Sequence, residues 1–181
     1  MAYYERNLPH LLPQGKQLFL TWRLHGSLPL AVLEKLRNDK ELENGRKFIR
    51  FDGELDRAAF GPLWLREEKI AELVQREILG VAQRGWYVAH SFVVMPNHVH
   101  LLLDPKVELK RITQAIKGGS AIACNEVLGR RGLPFWQPES FDHWVRNSVS
   151  FAKIRAYIEG NPVSAGLAKK PEDWLWSSAH R

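Results

Sequence analysis

The pattern of apolar and polar positions predicts a strand near the start of the chain and a less regular stretch after it. Residues 17–24 are rich in aromatic and aliphatic side chains and end before a glycine and a proline, which predicts a β-strand. Leucines at helical spacing predict a short helix over 30–42, whereas turn signals and weak periodicity predict a packed loop over 49–65. We therefore expect residues 25–65 to be an insertion made of a helix and a loop.

Clearer periodicity after this stretch predicts alternating helices and strands. Apolar positions 3.6 residues apart predict a helix that begins at Glu67 and ends before Gly85. The β-rich segments 86–94 and 99–103, joined by a Pro-Asn turn, predict two consecutive strands. A second helix is predicted over 109–127, and a short strand within 135–145.

A third helix completes the predicted order. Asn147 is a suitable N-cap, and Pro162 is expected to end the helix near Gly160 because proline disfavours helical backbone in the residue before it. The order strand, helix, strand, strand, helix, strand, helix is the split βαβ pattern of a ferredoxin-like α+β sandwich. We expect an antiparallel sheet with the first two of these helices on one face, while the third carries side chains to the open face.

Length and composition limit the class of protein. With 181 residues, 45% of them hydrophobic and 25% charged, the chain is expected to form a single domain over 1–181 and not a disordered, collagen-like or coiled-coil protein. The single cysteine, Cys124, excludes an intrachain disulfide and a multi-cysteine zinc site, which favours a reducing compartment. Residues 1–16 lack a secretory signal and no apolar run is long enough for a membrane span, so we expect a cytoplasmic protein with no membrane partner.

Two histidines stand two residues apart on the predicted strand that follows the Pro-Asn turn. Residues i and i+2 of a strand project to the same face, so His98 and His100 place two imidazoles side by side. The alternative is one half-buried and one exposed histidine of no special role. Because both interrupt an apolar run over 92–103, each needs a polar partner, and a metal ion, an anion or a carboxylate would serve.

Tyr157 and Asn161 are four residues apart on the third predicted helix. This spacing places the phenol and the amide on one helix face, and Lys153 lies one turn earlier on the same face. The alternative is that Tyr157 is an ordinary core or rim residue and that Asn161 only stops the helix before Pro162.

These motifs and the segments around them resemble the REP-associated tyrosine transposases of bacteria, a branch of the HUH single-tyrosine transposases. The His-hydrophobe-His core is short, but its combination with the segment Asn-Pro-Val-x-Ala-Gly-Leu and a closing Trp-x-Trp-Ser-Ser is specific. The matching segments cover nearly the whole chain: 20–29, 94–103, 116–118, 135–137, 141–142, 157–167 and 174–178.

The resemblance implies metal-dependent cleavage and rejoining of single-stranded DNA at hairpin-forming, REP-like palindromes. It implies that His98, His100 and Asn161 hold a divalent cation, Mg²⁺ or Mn²⁺, and that Tyr157 attacks phosphorus to leave a 5′-phosphotyrosine and a free 3′-hydroxyl. An imidazole-rich ligand set also suits Zn²⁺. A phenol with a reference pKa near 10 needs activation at pH 7, to which Lys153 or the metal would contribute. The relatives act as monomers or as homodimers.

The chain carries 26 Lys and Arg against 20 Asp and Glu, a net charge of +6, which is typical of nucleic-acid binders. Trp136 is expected either to stack a base or to pack in the core, and Gly118-Gly119 to let the backbone approach a phosphate. Basic side chains predicted to contact phosphates, with a solvated surface charge as the alternative, are Arg111, Lys117, Arg130, Arg131, Arg146 and Lys153.

Other classes of protein fit the sequence less well. A histidine-triad hydrolase needs a third histidine where Leu102 stands. A catalytically inactive DNA-binding or regulatory protein of the same descent would be expected to have lost at least one of the four site residues. A metal-free ferredoxin-like interaction module predicts no divalent-cation binding at all.

Overall fold

Four strands and five helices form within residues 16–38 and 44–180, which are the residues that the computed structural model describes. None of the helices in these ranges is both long and apolar enough to cross a membrane. In chain order the elements are β1 (Leu18–Arg23), α1 (Leu30–Asn38), α2 (Asn44–Asp56), α3 (Glu68–Gln83), β2 (Tyr87–Val94), β3 (His98–Pro105), α4 (Leu109–Val127), β4 (Phe141–Trp144) and α5 (Ser148–Ser164).

The four strands form one antiparallel sheet in the order β2-β3-β1-β4. This is the strand order that a split βαβ sandwich produces, so the predicted ferredoxin-like α+β fold is confirmed. The central pair is β1 and β3, in which Thr21 lies opposite His100 and Arg23 lies opposite His98. The two histidines therefore lie in the middle of the sheet and not at an edge.

Alternation along the central strands divides the core between the two faces of the sheet. Leu18, Leu20 and Trp22 of β1 pack with the buried residues of α3 and α4 on one face. Phe19 of β1 lies on the other face, in a second cluster with Ile158 of α5. As expected, α5 brings side chains to the face that α3 and α4 leave open.

Residues 44–56 form helix α2, so the prediction of a packed loop over 49–65 is wrong for residues 49–56. Asp52-Gly53 is a turn signal in the sequence, and a glycine inside a helix lowers the stability of that helix by about 1 kcal/mol relative to alanine. Burial of Asp52 and Leu55, both 0% exposed, holds the helix against the rest of the molecule. Residues 39–42 of the predicted first helix lie outside the described residues.

Helix α5 begins as predicted and ends later than predicted. The Oδ1 of Asn147 accepts a hydrogen bond from the backbone N–H of Ser150, which confirms the N-cap. The helix continues through Pro162 to Ser164, because a proline removes one donor only and the next turn is closed by the Ala165 N–H, which donates to the Asn161 carbonyl at 2.9 Å.

The glycine pair in α4 has a packing role that the sequence did not predict. A Cβ placed on Gly119 would lie 2.6 Å from Oε2 of Glu77, whereas one placed on Gly118 would meet nothing within 4 Å. The close approach at Gly119 is therefore made by a side chain of α3, and the expected approach of a phosphate stays a prediction.

The C-terminal segment is attached to the edge of β2. The backbone N–H of Val94 donates to the Trp176 carbonyl, and the N–H of Ser178 donates to the Phe92 carbonyl. The indole N–H of Trp174 donates to the Val94 carbonyl, while its ring packs against the cluster that includes Ile158 of α5. These contacts fasten the C-terminal segment to the domain.

We expect Trp174→Ala to lower the free energy of unfolding by about 2 kcal/mol, below the full cost of a buried aromatic because the ring is only half-buried. The adjacent Leu175 is 49% exposed, so Leu175→Ala is the matched control and is expected to change stability by no more than about 0.5 kcal/mol. Urea denaturation of the two variants measures the difference, and equal stabilities would contradict the fastening role of Trp174.

Candidate active site

His98 and His100 project from β3 toward α5 and are both fully buried. Their Nε2 atoms are 3.1 Å apart. Each Nδ1 has a polar partner at 2.7 Å, Asn97 Oδ1 for His98 and Thr21 Oγ1 for His100. The two Nε2 atoms therefore converge on one point, as the strand spacing predicted.

Two carboxylates of α2 face these imidazoles. Oδ2 of Asp52 is 3.2 Å from Nε2 of His100, and Oδ1 of Asp52 and Oδ1 of Asp56 are each 3.7 Å from Nε2 of His98. Neither acid was predicted from the sequence to be a site residue. Their i, i+4 spacing, with Leu55 beside them, is a signal only once the segment is known to be a helix.

Helix α5 supplies the phenol and the amide. The Tyr157 hydroxyl donates a hydrogen bond to Oδ2 of Asp52, and its ring lies 5.7 Å from the ring of His100. Nδ2 of Asn161 is 3.5 Å from Oδ2 of both Asp52 and Asp56. Three elements distant in sequence, β3, α2 and α5, thus meet in one buried polar cluster.

Burial and charge shift the pKa values within this cluster. Burial by itself raises the pKa of Asp52. The charge of His100 and the hydrogen bond with it lower this pKa, the charge of His98 and the hydrogen bond from Asn161 lower it further, and the pKa of Asp52 ends below its ordinary value. Burial and the charge of Asp52 raise the pKa of Asp56 to about 7. Burial lowers the pKa of His98 to about 3, so its ring is neutral at pH 7 and one ring nitrogen carries a free lone pair.

The cluster has the donor set of a divalent-cation site. One ligand atom each from Asp52, His98 and His100 lie within 4.8 Å of one another, and all three residues are buried. Among the described residues, buried oxygens without a hydrogen-bond partner include Oδ1 of Asp52, Asp56 and Asn161. Buried oxygens of this kind are rare in proteins unless an ion or water satisfies them. Two imidazoles with carboxylate oxygens suit Mn²⁺ or Zn²⁺, and carboxylates suit Mg²⁺.

Comparison with known proteins shows to which family the chain belongs. The family described as "Transposase IS200 like" matches residues 64–161, which contain His98, His100, Tyr157 and Asn161. The chain belongs to the IS200-like transposase family. Asp52 and Asp56 precede the matched region, so these carboxylates come from outside the part that the family defines.

Two relatives are similar to this chain in sequence. The chain is 27% identical over 113 residues to the REP-associated tyrosine transposase of Escherichia coli (strain K12), across 61% of this chain and 65% of that protein. It is 24% identical over 95 residues to an uncharacterized protein of Haemophilus influenzae, across 40% and 53% of the two lengths. The matches thus span less than two thirds of either relative. The first of these matches confirms the resemblance to REP-associated tyrosine transposases.

A solved structure shares the fold. The structure of a REP-associated tyrosine transposase bound to a REP hairpin superposes with a TM-score of 0.63 at 21% identity, covering all of this chain and 84% of the other. This similarity supports the α+β architecture of this member of the IS200-like transposase family.

Two of the predicted DNA-contacting residues of this transposase have intramolecular roles. Trp136 is 6% exposed, and its indole N–H donates to Oγ of Ser120 at 2.9 Å, so packing in the core is correct and almost no ring surface is left for a base. Nζ of Lys117 donates to the carbonyls of Gln137 and Pro138 at 2.8 and 2.9 Å. Lys117 therefore holds the loop before β4.

The other predicted basic residues lie at the surface or near it. The guanidinium of Arg111 lies 5.1 Å from the centre of the Trp86 ring, and that of Arg130 lies 4.2 Å from the Trp64 ring. Arg131 forms an ion pair with Glu126. Arg146 and Lys153 are exposed.

Proposed function

We propose that this transposase-family chain is a metal-dependent, single-strand-specific DNA endonuclease and strand transferase acting on hairpin or palindromic repeat DNA through a 5′-phosphotyrosine. The observation that carries the proposal is the bond from the Tyr157 hydroxyl to Asp52, whose carboxylate also contacts both histidines. A nucleophile and a candidate cation site share one carboxylate, which is the juxtaposition that phosphoryl transfer needs.

The cation would be held by His98, His100 and Asp52, with Asn161 as the further oxygen donor that the family resemblance implies. Mg²⁺ or Mn²⁺ is proposed, and when bound it would polarise a non-bridging oxygen of the scissile phosphate. In the structure Nδ2 of Asn161, not its Oδ1, faces the carboxylates, so the carboxylate of Asp52 is the better placed oxygen ligand.

The chain's own residues carry the proposed covalent step. Oη of Tyr157 forms a bond to phosphorus, and the bond from phosphorus to the 3′ oxygen of the preceding nucleotide breaks. The phenolic proton passes along its hydrogen bond to Asp52, and the leaving oxygen takes a proton from water to become a 3′-hydroxyl. The phosphotyrosine keeps the energy of the broken bond, so attack by a 3′-hydroxyl reverses the step without ATP.

We also propose the DNA contacts. Arg111, Arg146 and Lys153 are exposed and available for phosphates, because an exposed guanidinium or ammonium neutralises a phosphate at little desolvation cost. Arg130 is half-buried against Trp64 and is proposed as a further contact at the rim of this surface. The REP hairpin bound by the relative of similar fold suggests a hairpin as the substrate to test first.

We expect the purified protein to form a covalent adduct with end-labelled single-stranded hairpin DNA from palindromic repeats near its own gene. The adduct should require Mn²⁺ or Mg²⁺, be absent in EDTA, and be absent for the same sequence presented as blunt duplex. A denaturing gel separates the adduct from free DNA and shows the 3′-hydroxyl product beside it.

Two outcomes would overturn this proposal. Tight binding of the hairpin without an adduct under either metal would support the inactive DNA-binding or regulatory protein. No binding and no cleavage, across hairpins of different sequence, would remove DNA as the substrate.

A further inference from the structure

Asn97 contacts both elements that carry the candidate cation site, strand β3 with the histidines and helix α2 with the acids, but is not itself one of the proposed ligands. It is 1% exposed in the turn before β3. Its Oδ1 lies 2.7 Å from Nδ1 of His98, and its Nδ2 donates to the backbone carbonyl of Leu55 in α2 at 2.9 Å. One side-chain amide therefore bridges the strand that carries the histidines and the helix that carries the acids.

The bond to Leu55 determines which way round the amide lies. A carbonyl oxygen only accepts hydrogen bonds, so the atom of Asn97 that faces it must be the NH₂ group. The atom that faces His98 is then Oδ1, which also only accepts. The proton of the neutral imidazole must therefore sit on Nδ1, which leaves the lone pair on Nε2, toward the acids.

The same bond positions the carboxylates. Leu55 lies between Asp52 and Asp56 in sequence, and its side chain is fully buried. Oxygens of both acids lie 3.7 Å from Nε2 of His98. The two Oδ1 atoms are buried and have no hydrogen-bond donor, and a cation beside the lone pair of His98 would satisfy them.

We propose that Asn97 is a positioning residue that couples the protonated nitrogen of His98 to the position of α2, so that one amide sets both the imidazole and the carboxylates of the cation site. This inference deepens the proposed function and rests on it for the presence of a metal.

Thr21 is the partner of His100 as Asn97 is the partner of His98, and it provides the control. Its hydroxyl lies 2.7 Å from Nδ1 of His100, but a hydroxyl both donates and accepts, so it tolerates either tautomer of that ring. Thr21 lies on β1, opposite His100. A substitution at Thr21 therefore tests the loss of one histidine partner without loosening the amide link to α2.

The first test is the tautomer of His98 in metal-free, ¹⁵N-labelled protein at pH 7, read from long-range ¹H–¹⁵N spectra and assigned with His98→Gln. We expect the proton on Nδ1 in the wild type and in Asn97→Asp, which keeps an acceptor toward that nitrogen. In Asn97→Ala we expect a large share of the tautomer protonated on Nε2. A wild-type His98 protonated on Nε2 would overturn the proposal.

The second test is a double-mutant cycle on Mn²⁺ affinity, measured by calorimetry, with thermal unfolding to confirm that each variant is folded. Asn97→Ala is expected to weaken binding by about 10- to 100-fold, the usual effect of removing a partner of a ligand. In a protein that already carries Asp52→Ala, the loss of Mn²⁺ affinity caused by Asn97→Ala should be several-fold smaller. The loss of affinity caused by Thr21→Val should be the same with Asp52 present and with Asp52→Ala.

A merely structural role of Asn97 predicts a different pattern. Asn97→Ala would then lower the melting temperature and leave the tautomer of His98 unchanged. It would also weaken Mn²⁺ binding by the same factor with Asp52 present and with Asp52→Ala, and that result would overturn the coupling. If Asn97→Ala does not fold, Asn97→Ser takes its place in both measurements. Neither test uses DNA, so a failure of the adduct assay and a failure of this inference are distinguishable.

Discussion

Tyr157→Phe is expected to abolish the covalent protein–DNA adduct completely while the protein still folds and binds the hairpin. The substitution removes only the hydroxyl that donates to Asp52. The ring remains in its edge-on contact with Phe19, at 6.4 Å between ring centres, and beside His100. Loss of one hydrogen bond to a carboxylate is expected to lower the free energy of unfolding by about 1.5–3 kcal/mol, which leaves the packing in place.

Tyr87→Phe is the matched control for this experiment. Tyr87 is the other tyrosine of the described residues, and its buried hydroxyl donates to the Ile78 carbonyl, where burial raises its pKa well above the ordinary value. The Tyr87→Phe protein should lose about 1 kcal/mol of stability and keep full adduct formation. An adduct of undiminished yield from Tyr157→Phe would assign the nucleophile to another residue.

His100→Ala is expected to weaken Mn²⁺ binding by more than about 100-fold and to remove adduct formation at micromolar metal. The side chain is one of three buried groups whose ligand atoms lie within 4.8 Å of one another. Removal of a group that only orients a ligand already costs about 10- to 100-fold in affinity, so loss of a ligand itself should cost more. Calorimetric titration with MnCl₂ gives the dissociation constants.

His90→Ala is the control for the histidine experiment. His90 lies on β2, and its ring contacts Phe151 edge-on at 5.1 Å between ring centres. The His90→Ala protein should bind Mn²⁺ as tightly as the wild-type protein. Equal affinities of the His100→Ala and wild-type proteins, with both shown to be folded, would exclude the proposed ligand set.

The part of the site that the sequence predicted is the part that follows from local periodicity. His98 and His100 share a face because of the two-residue period of a strand, and Tyr157 and Asn161 share one because of the four-residue spacing of a helix turn. The structure places both pairs as these periods require. Confirmation of the family adds the expectation that the pairs act together.

The acids of α2 could not be predicted in the same way. Asp52-Gly53 is a turn signal on local propensity, and the segment becomes a helix because Leu55 and Asp52 are buried against the rest of the domain. Tertiary burial outweighs a glycine penalty of about 1 kcal/mol, which no window of sequence displays. The misplaced end of α5 at Gly160 has a similar cause, since Pro162 is buried within the last turn of the helix.

Local patterns in the sequence are enough to predict the strand and helix order of the antiparallel sandwich and the two pairs of polar side chains, because each depends on contacts between near neighbours in the chain. The contact of Asp52 with the histidines and Tyr157, and the burial of Trp136 in the core, depend on tertiary packing. The bond between Asn97 and the carbonyl of Leu55 spans 42 residues. Such long-range contacts form only when the whole domain closes, because the burial that stabilises them is shared by residues far apart in sequence.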